Sequence, residues 1–189
     1  MVGEDFGAMQ SGSVKRLRDE WMQDIIAGSG VFDLGSGDFS FAKELAKLHR
    51  VVRCVDIDLE IAVPGEVDFC TADLTRQTEL ERIFYGSEQS HFFIRNLLQF
   101  LDRACVANLI ESIRKYAPVN SSIYIETFFG DPDPPFEAEY LSYWNSQELL
   151  NLVGSGTKEI RSAQEVVLGQ SLDGEYRLFR VSAVAGTFT

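Results

Sequence analysis

Two stretches of this chain pair glycines with acids at a spacing that suits a nucleoside-like ligand. The first is "VFDLGSGDFSFA", residues 31–42. An apolar run carries Asp33, then come Gly35, Ser36 and Gly37, then Asp38 and Phe39. Glycines let a backbone turn tightly and approach a ligand closely, and a strand turning into a helix offers free N–H groups there. The second stretch is "VVRCVDID", in which Asp56 ends the apolar run. An acid closing the next strand, about twenty residues beyond such glycines, can accept hydrogen bonds from both hydroxyls of a ribose. G-x-G alone says little. G-x-G after a strand, opening a helix, with that acid following, says considerably more.

Phe39 and Asp38 narrow the ligand. A dinucleotide loop must admit a pyrophosphate, and a bulky side chain beside an acid makes a poor phosphate site. S-adenosylmethionine has an adenosine but no phosphate, and its other end is an amino acid bearing a cationic sulfonium. Asp33 is placed to hold the amino group, directly or through water. A cation also suits this chain, whose 17 basic and 29 acidic residues leave a net charge of −12. The same charge disfavours a nucleic-acid partner, because the basic residues do not cluster.

The elements that must position these residues can be read from periodicity. A length of 189 residues with 45% hydrophobic content suits one soluble domain. Residues 1–12 are expected to be poorly ordered and 13–189 to form the domain. Helices are expected at 14–27, with Ser13 as cap, and at 39–48, 77–84, 103–116 and 146–153. Strands are expected at 31–34, 51–58, 67–72, 91–96 and 121–129. Two further β-like runs, near 160–168 and 176–184, are separated by "LDGE", a hairpin-turn signal. The expected fold is α/β: a Rossmann-like, seven-stranded, mostly parallel sheet with a C-terminal antiparallel hairpin and helices on both faces. The three cysteines form no C-x-x-C pair, no apolar run approaches membrane-spanning length and no apolar leader is evident. These features point to a cytoplasmic protein with no membrane association.

These motifs together resemble those of the class I S-adenosylmethionine-dependent methyltransferases, in particular small single-domain members acting on small molecules. "VFDLGSGDFSFAKELA" resembles their first motif, with Phe39 where a glycine is usual. "VVRCVDID" resembles the second, which implies Asp56 as ribose ligand and Ile57 beside the adenine. "VDFCTADLT" resembles the third, which implies Asp73 near the adenine amino group and Leu74 beside the ring. The implied cofactor is S-adenosylmethionine, leaving as S-adenosylhomocysteine. The implied cofactor set is Asp33, Gly35, Ser36, Gly37, Phe39, Asp56, Ile57, Asp73, Leu74 and Asn96. One departure is the short connection "LEIAVPGEV" where most members carry a helix. RNA ribose 2′-O-methyltransferases share that feature, but they use a lysine where this chain has Glu126.

In an open α/β sheet the acceptor site lies beyond the carboxyl ends of the strands. Those ends offer Asn96, Glu126 and Thr127, with Gln99 shortly after. Asn96 can hold the donor or orient an acceptor, or it can cap the following helix. Glu126 is a candidate base, or it pairs with Arg95 as a structural salt bridge. "FFGDPDPPFEAEYLSYW" is an acidic loop rich in aromatics, Tyr140 among them, and forms either an acceptor cage or a satellite core. The expected activity is methyl transfer to a small-molecule nitrogen or oxygen, with Asn96, Glu126 and Tyr140 as candidate catalytic residues and no metal. Three other readings remain: a non-catalytic partner-binding subunit, an RNA 2′-O-methyltransferase, and an enzyme using adenosylmethionine for other chemistry.

Overall fold

The computed structural model describes residues 12–25, 29–48, 51–57, 62–65, 67–88, 90–128, 141–154, 157–167 and 180–188. Seven strands form one sheet, β1 (Gly30–Leu34), β2 (Val51–Asp56), β3 (Asp68–Thr71), β4 (His91–Arg95), β5 (Ser122–Phe128), β6 (Thr157–Val167) and β7 (Arg180–Phe188). Their order is β3-β2-β1-β4-β5-β7-β6. The first five pair in parallel, and β7 runs antiparallel between β5 and β6. The expected hairpin is therefore present, although its Asp-Gly turn lies outside the described residues, as does most of the segment 1–12.

Alternation along the strands divides the core into two. Phe32, Leu34, Phe92, Ile94, Ile123, Ile125 and Val184 face one side. There they pack on α3 (Gln77–Phe84), α4 (Arg103–Tyr116) and α5 (Ser146–Gly154). Val31, Val52, Cys54, Phe93, Tyr124 and Ala185 face the other, against α1 (Gly12–Asp24) and α2 (Ser40–Lys47). Strands buried on both faces need this near-continuous apolar character. The Phe93 and Tyr124 rings stack at 5.3 Å, and the Trp21 ring of α1 lies 5.8 Å from Phe93. The indole N–H of Trp21 donates to the Ser122 hydroxyl, which ties α1 across the sheet.

Several boundaries differ from expectation, and two of them bear on capping and pairing. α1 begins at Gly12, so Ser13 lies inside the helix rather than capping it. β7 runs to Phe188, beyond the expected end at Val184. "AGTF" has weak strand character, but here it is held by pairing with β5 on one side and β6 on the other. Propensity yields to pairing at an interior strand. α4 matches its expected span, and Asp102 caps it by accepting the Cys105 N–H at 2.7 Å.

Candidate functional site

The carboxyl ends of β1, β2, β4 and β5 bring most of the candidate residues to one edge of the sheet. The loop after β1 reverses through two residues with positive φ, Gly35 at 77° and Gly37 at 49°. Gly35 donates to the Val55 carbonyl, which pins the loop to β2. A Cβ on Gly35 would lie 3.0 Å from Leu97 Cδ1, whereas one on Gly37 would meet nothing within 4 Å. Gly35→Ala is therefore expected to cost about 1–2 kcal/mol or more, and Gly37→Ala less. Urea unfolding midpoints of the two variants check that order.

Asp56 is tied to this loop. Its Oδ2 accepts the Gly37 N–H at 2.9 Å and its Oδ1 accepts the Ile57 N–H at 2.7 Å. The carboxylate is thus held in one orientation, and each oxygen keeps a lone pair for another donor. Ile57 beside it is 62% exposed, an apolar surface suited to an aromatic ring. Asp73 turns back on its own chain, with Oδ1 accepting from both the N–H and the hydroxyl of Thr75. Those bonds hold its carboxyl below the usual range. Leu74 is buried among the α3/α4-side core residues, so its side chain offers little surface to a ligand.

Phe39 requires a correction. It sits at the start of α2 with φ 61°, a left-handed conformation unusual for a bulky residue. Its ring is fully buried beneath the loop, edge-on to Phe69 at 5.7 Å. It belongs to the core of the α1/α2 side.

Asp33 is 3% exposed, and its Oδ2 has no hydrogen-bond partner. Burial raises its pKa to about 7, against the opposing pull of Arg95. The Ser36 hydroxyl is likewise buried without a partner. Glu126, on the same sheet face two strands away, is 3% exposed. It accepts the Tyr124 hydroxyl at 2.9 Å and lies 3.4 Å from Arg95 Nε. Glu126 takes the structural alternative, an ion pair with Arg95, rather than the position of an accessible base. Arg18 of α1 is 7% exposed, and its charge acts on Tyr124 from the helix side. Arg18 was not among the candidate residues. Its signal was present, since positions 18, 21 and 25 share one helix face that is otherwise apolar.

Asn96 follows β4 with φ 51° and donates its backbone N–H to the Glu126 carbonyl. Asparagine adopts this left-handed conformation more readily than most residues, and here it turns the chain at the carboxyl end of β4. Gln99 and Thr127 meet on the other face, the Thr127 hydroxyl donating to Gln99 Oε1 at 3.1 Å, while the Gln99 amide nitrogen is buried without a partner. The Gln99 carbonyl accepts the Leu141 N–H at 2.7 Å. Tyr140, with residues 129–139, lies outside the described residues. Trp144 from the same loop is buried, its indole N–H donating to Ser142. That part of the aromatic loop is core.

No protein-family model matches the sequence, and no curated protein sequence matches it. Solved structures do share its fold. A SAM-dependent methyltransferase from Methanosarcina mazei superposes with a TM-score of 0.68 at 15% identity, over 91% of this chain and 96% of that one. One from Anabaena variabilis gives 0.74 at 12% identity, over 94% and 84%. Phosphoethanolamine N-methyltransferase 2 of Haemonchus contortus, solved with phosphomonomethylethanolamine and S-adenosylhomocysteine, gives 0.70 at 12% identity. This chain covers 53% of that protein. The chain has the fold of the class I SAM-dependent methyltransferases.

Proposed function

We propose that this chain is an S-adenosylmethionine-dependent methyltransferase, a single cytoplasmic domain that methylates a small-molecule nitrogen or oxygen. The observation that carries the reading is the Asp56 carboxylate, fixed by Gly37 and Ile57 N–H groups with acceptor capacity to spare. The residues fit the cofactor. Asp56 would take the ribose hydroxyls, exposed Ile57 would cover the adenine, and Asp73 would lie near its amino group. The buried, unpartnered Asp33 oxygen would take the ammonium, with Gly35, Ser36 and Gly37 as the backbone cradle. When bound, the cofactor supplies a sulfonium-activated methyl group.

Asn96 is the residue we assign to orienting the donor or the acceptor, from its position directly after β4. Glu126 supports that position through its backbone carbonyl and its ion pair. Direct displacement asks the protein mainly to align acceptor and methyl group and to exclude water, so an accessible base is not required. The net charge of −12 supports a small acceptor over nucleic acid. Among the described residues no helix is long and apolar enough to cross a membrane. The buried position of Phe39 weighs against a cleft closed to cofactor, and so against the non-catalytic reading.

The test is calorimetric titration of the purified protein with S-adenosylmethionine and, separately, S-adenosylhomocysteine. Micromolar binding of both is expected, and would justify a screen of amines, phenols and carboxylic acids as acceptors. Absence of binding by either would overturn the reading and leave a partner-binding protein as the better account.

A further inference from the structure

Three adjacent strands place ionisable groups on one face at the ligand end of the sheet. Asp33 of β1 is in register with Phe93 of β4, and Arg95 lies two residues further along the same face of β4. Arg95 is in register with Glu126 of β5. One guanidinium thus stands on the strand between two buried carboxylates. Its Nε is buried and makes no hydrogen bond, lying 3.4 Å from Glu126 Oε1. Asp33 Oδ2 is likewise unpartnered. The cluster is electrostatically unfinished. A buried carboxylate with no donor favours the protonated form, and a cation at its open oxygen favours the ionised one.

We propose that Arg95 is a positioning residue, the shared counter-charge of Asp33 and Glu126, and that an arriving ligand ammonium drives a proton off the Asp33 carboxyl into solvent. The inference rests on the cofactor reading and deepens it, since it says how the charge of the amino-acid end is met. Arg95 tips Asp33 toward release without touching the ligand.

The other groups facing Asp33 set the direction. Asp38 from the loop and Asp56 of β2 repel its negative form, and burial does so more strongly. Only Arg95 among these influences favours ionisation. Cys54 of β2 faces the same region, and burial pushes its thiol far above its ordinary value, so it contributes no charge. Arg95 is itself shared with Glu126, which also takes the Tyr124 hydroxyl; Arg18 acts on Tyr124 from α1. With the Asp33 carboxyl balanced near pH 7, the empty site holds the proton below that pH, and an ammonium ligand must displace it. Affinity for such a ligand then rises with pH through 7 and levels above it. Between pH 6 and pH 8 the expected gain is about tenfold.

The experiment is calorimetry of the intact protein with S-adenosylhomocysteine from pH 5.5 to 8.5, in buffers of contrasting ionisation heat. Methylthioadenosine, which has no ammonium, is the companion probe. The expected result is release of close to one proton per adenosylhomocysteine at pH 6, little at pH 8, and no proton release or pH dependence with methylthioadenosine. Arg95→Met is expected to move the affinity midpoint upward by about a pH unit or more, and Arg95→Lys to restore it toward wild type. A merely structural arginine would weaken binding without moving the midpoint. Adenosylhomocysteine binding that is flat with pH, with no buffer-dependent heat, would overturn the inference and leave the cofactor reading standing. Absence of binding by both probes at every pH would overturn both. Should Arg95→Met not fold, the two-probe comparison on the wild-type protein still decides.

Discussion

Replacing Asp56 with alanine is expected to abolish measurable cofactor binding while leaving the protein folded. The carboxylate is fixed by the Gly37 and Ile57 N–H groups, so it arrives at the ligand without further ordering. Two charge-assisted hydrogen bonds to ribose hydroxyls are worth about 1.5–3 kcal/mol each. Their loss weakens binding by roughly two to four powers of ten. Asp56 is only partly buried, and the strand pairing of β2 is made by its backbone, so the fold does not depend on its side chain. Titration with S-adenosylhomocysteine, beside a thermal melt, separates these effects. Wild-type affinity in Asp56→Ala would remove the cofactor assignment. Asp56→Asn keeps an acceptor for the Gly37 N–H and is expected to fall between the two.

Phe39→Ala is expected to do the reverse, striking stability first. The ring is fully buried and packs on Phe69 and the α1/α2-side core. Truncating such a ring costs about 3–5 kcal/mol. That is a large part of the net stability of an ordinary domain. The loss also removes what holds residue 39 in its left-handed conformation, so the loop above it should loosen and ligand affinity fall as a consequence. Denaturant unfolding reads the first effect. If instead stability were unchanged and only affinity moved, the ring would have to be lining the cleft.

The contrast between Phe39 and Asp56 shows what the sequence could and could not convey. The spacing of Gly35, Gly37 and Asp56 reports a backbone requirement, and backbone requirements are local, so that half of the site was legible. α3 and α4 were legible for the same reason: a 3.6-residue stripe, such as Val106, Leu109, Ile110 and Ile113, needs no knowledge of the rest of the chain. The sequence places Phe39 in the first motif and at the start of a helix, and neither says which way its ring turns. Its direction depends on Phe69, thirty positions away. Glu126 was legible as an acid at a strand end, but its pairing with Arg95 depends on β4 and β5 being neighbours in this register. The protonation balance of Asp33 depends on burial by several elements at once. The far end of β7 was missed because its residues are held by partners on both sides rather than by their own preferences.

The placement of β7 has a consequence for how the chain is made. The strand latest in the sequence fills a slot between β5 and β6. Until it leaves the ribosome, β5 carries an open row of N–H and C=O groups along an apolar strand, in a partly assembled sheet. Such an edge invites pairing with another nascent chain. The five parallel strands can assemble earlier, but their flank is closed only once β7 has been made. Translation speed between β5 and β7, and a chaperone able to shield the flank meanwhile, should therefore matter more to the yield of this protein than to one whose strands pair in the order they are synthesised.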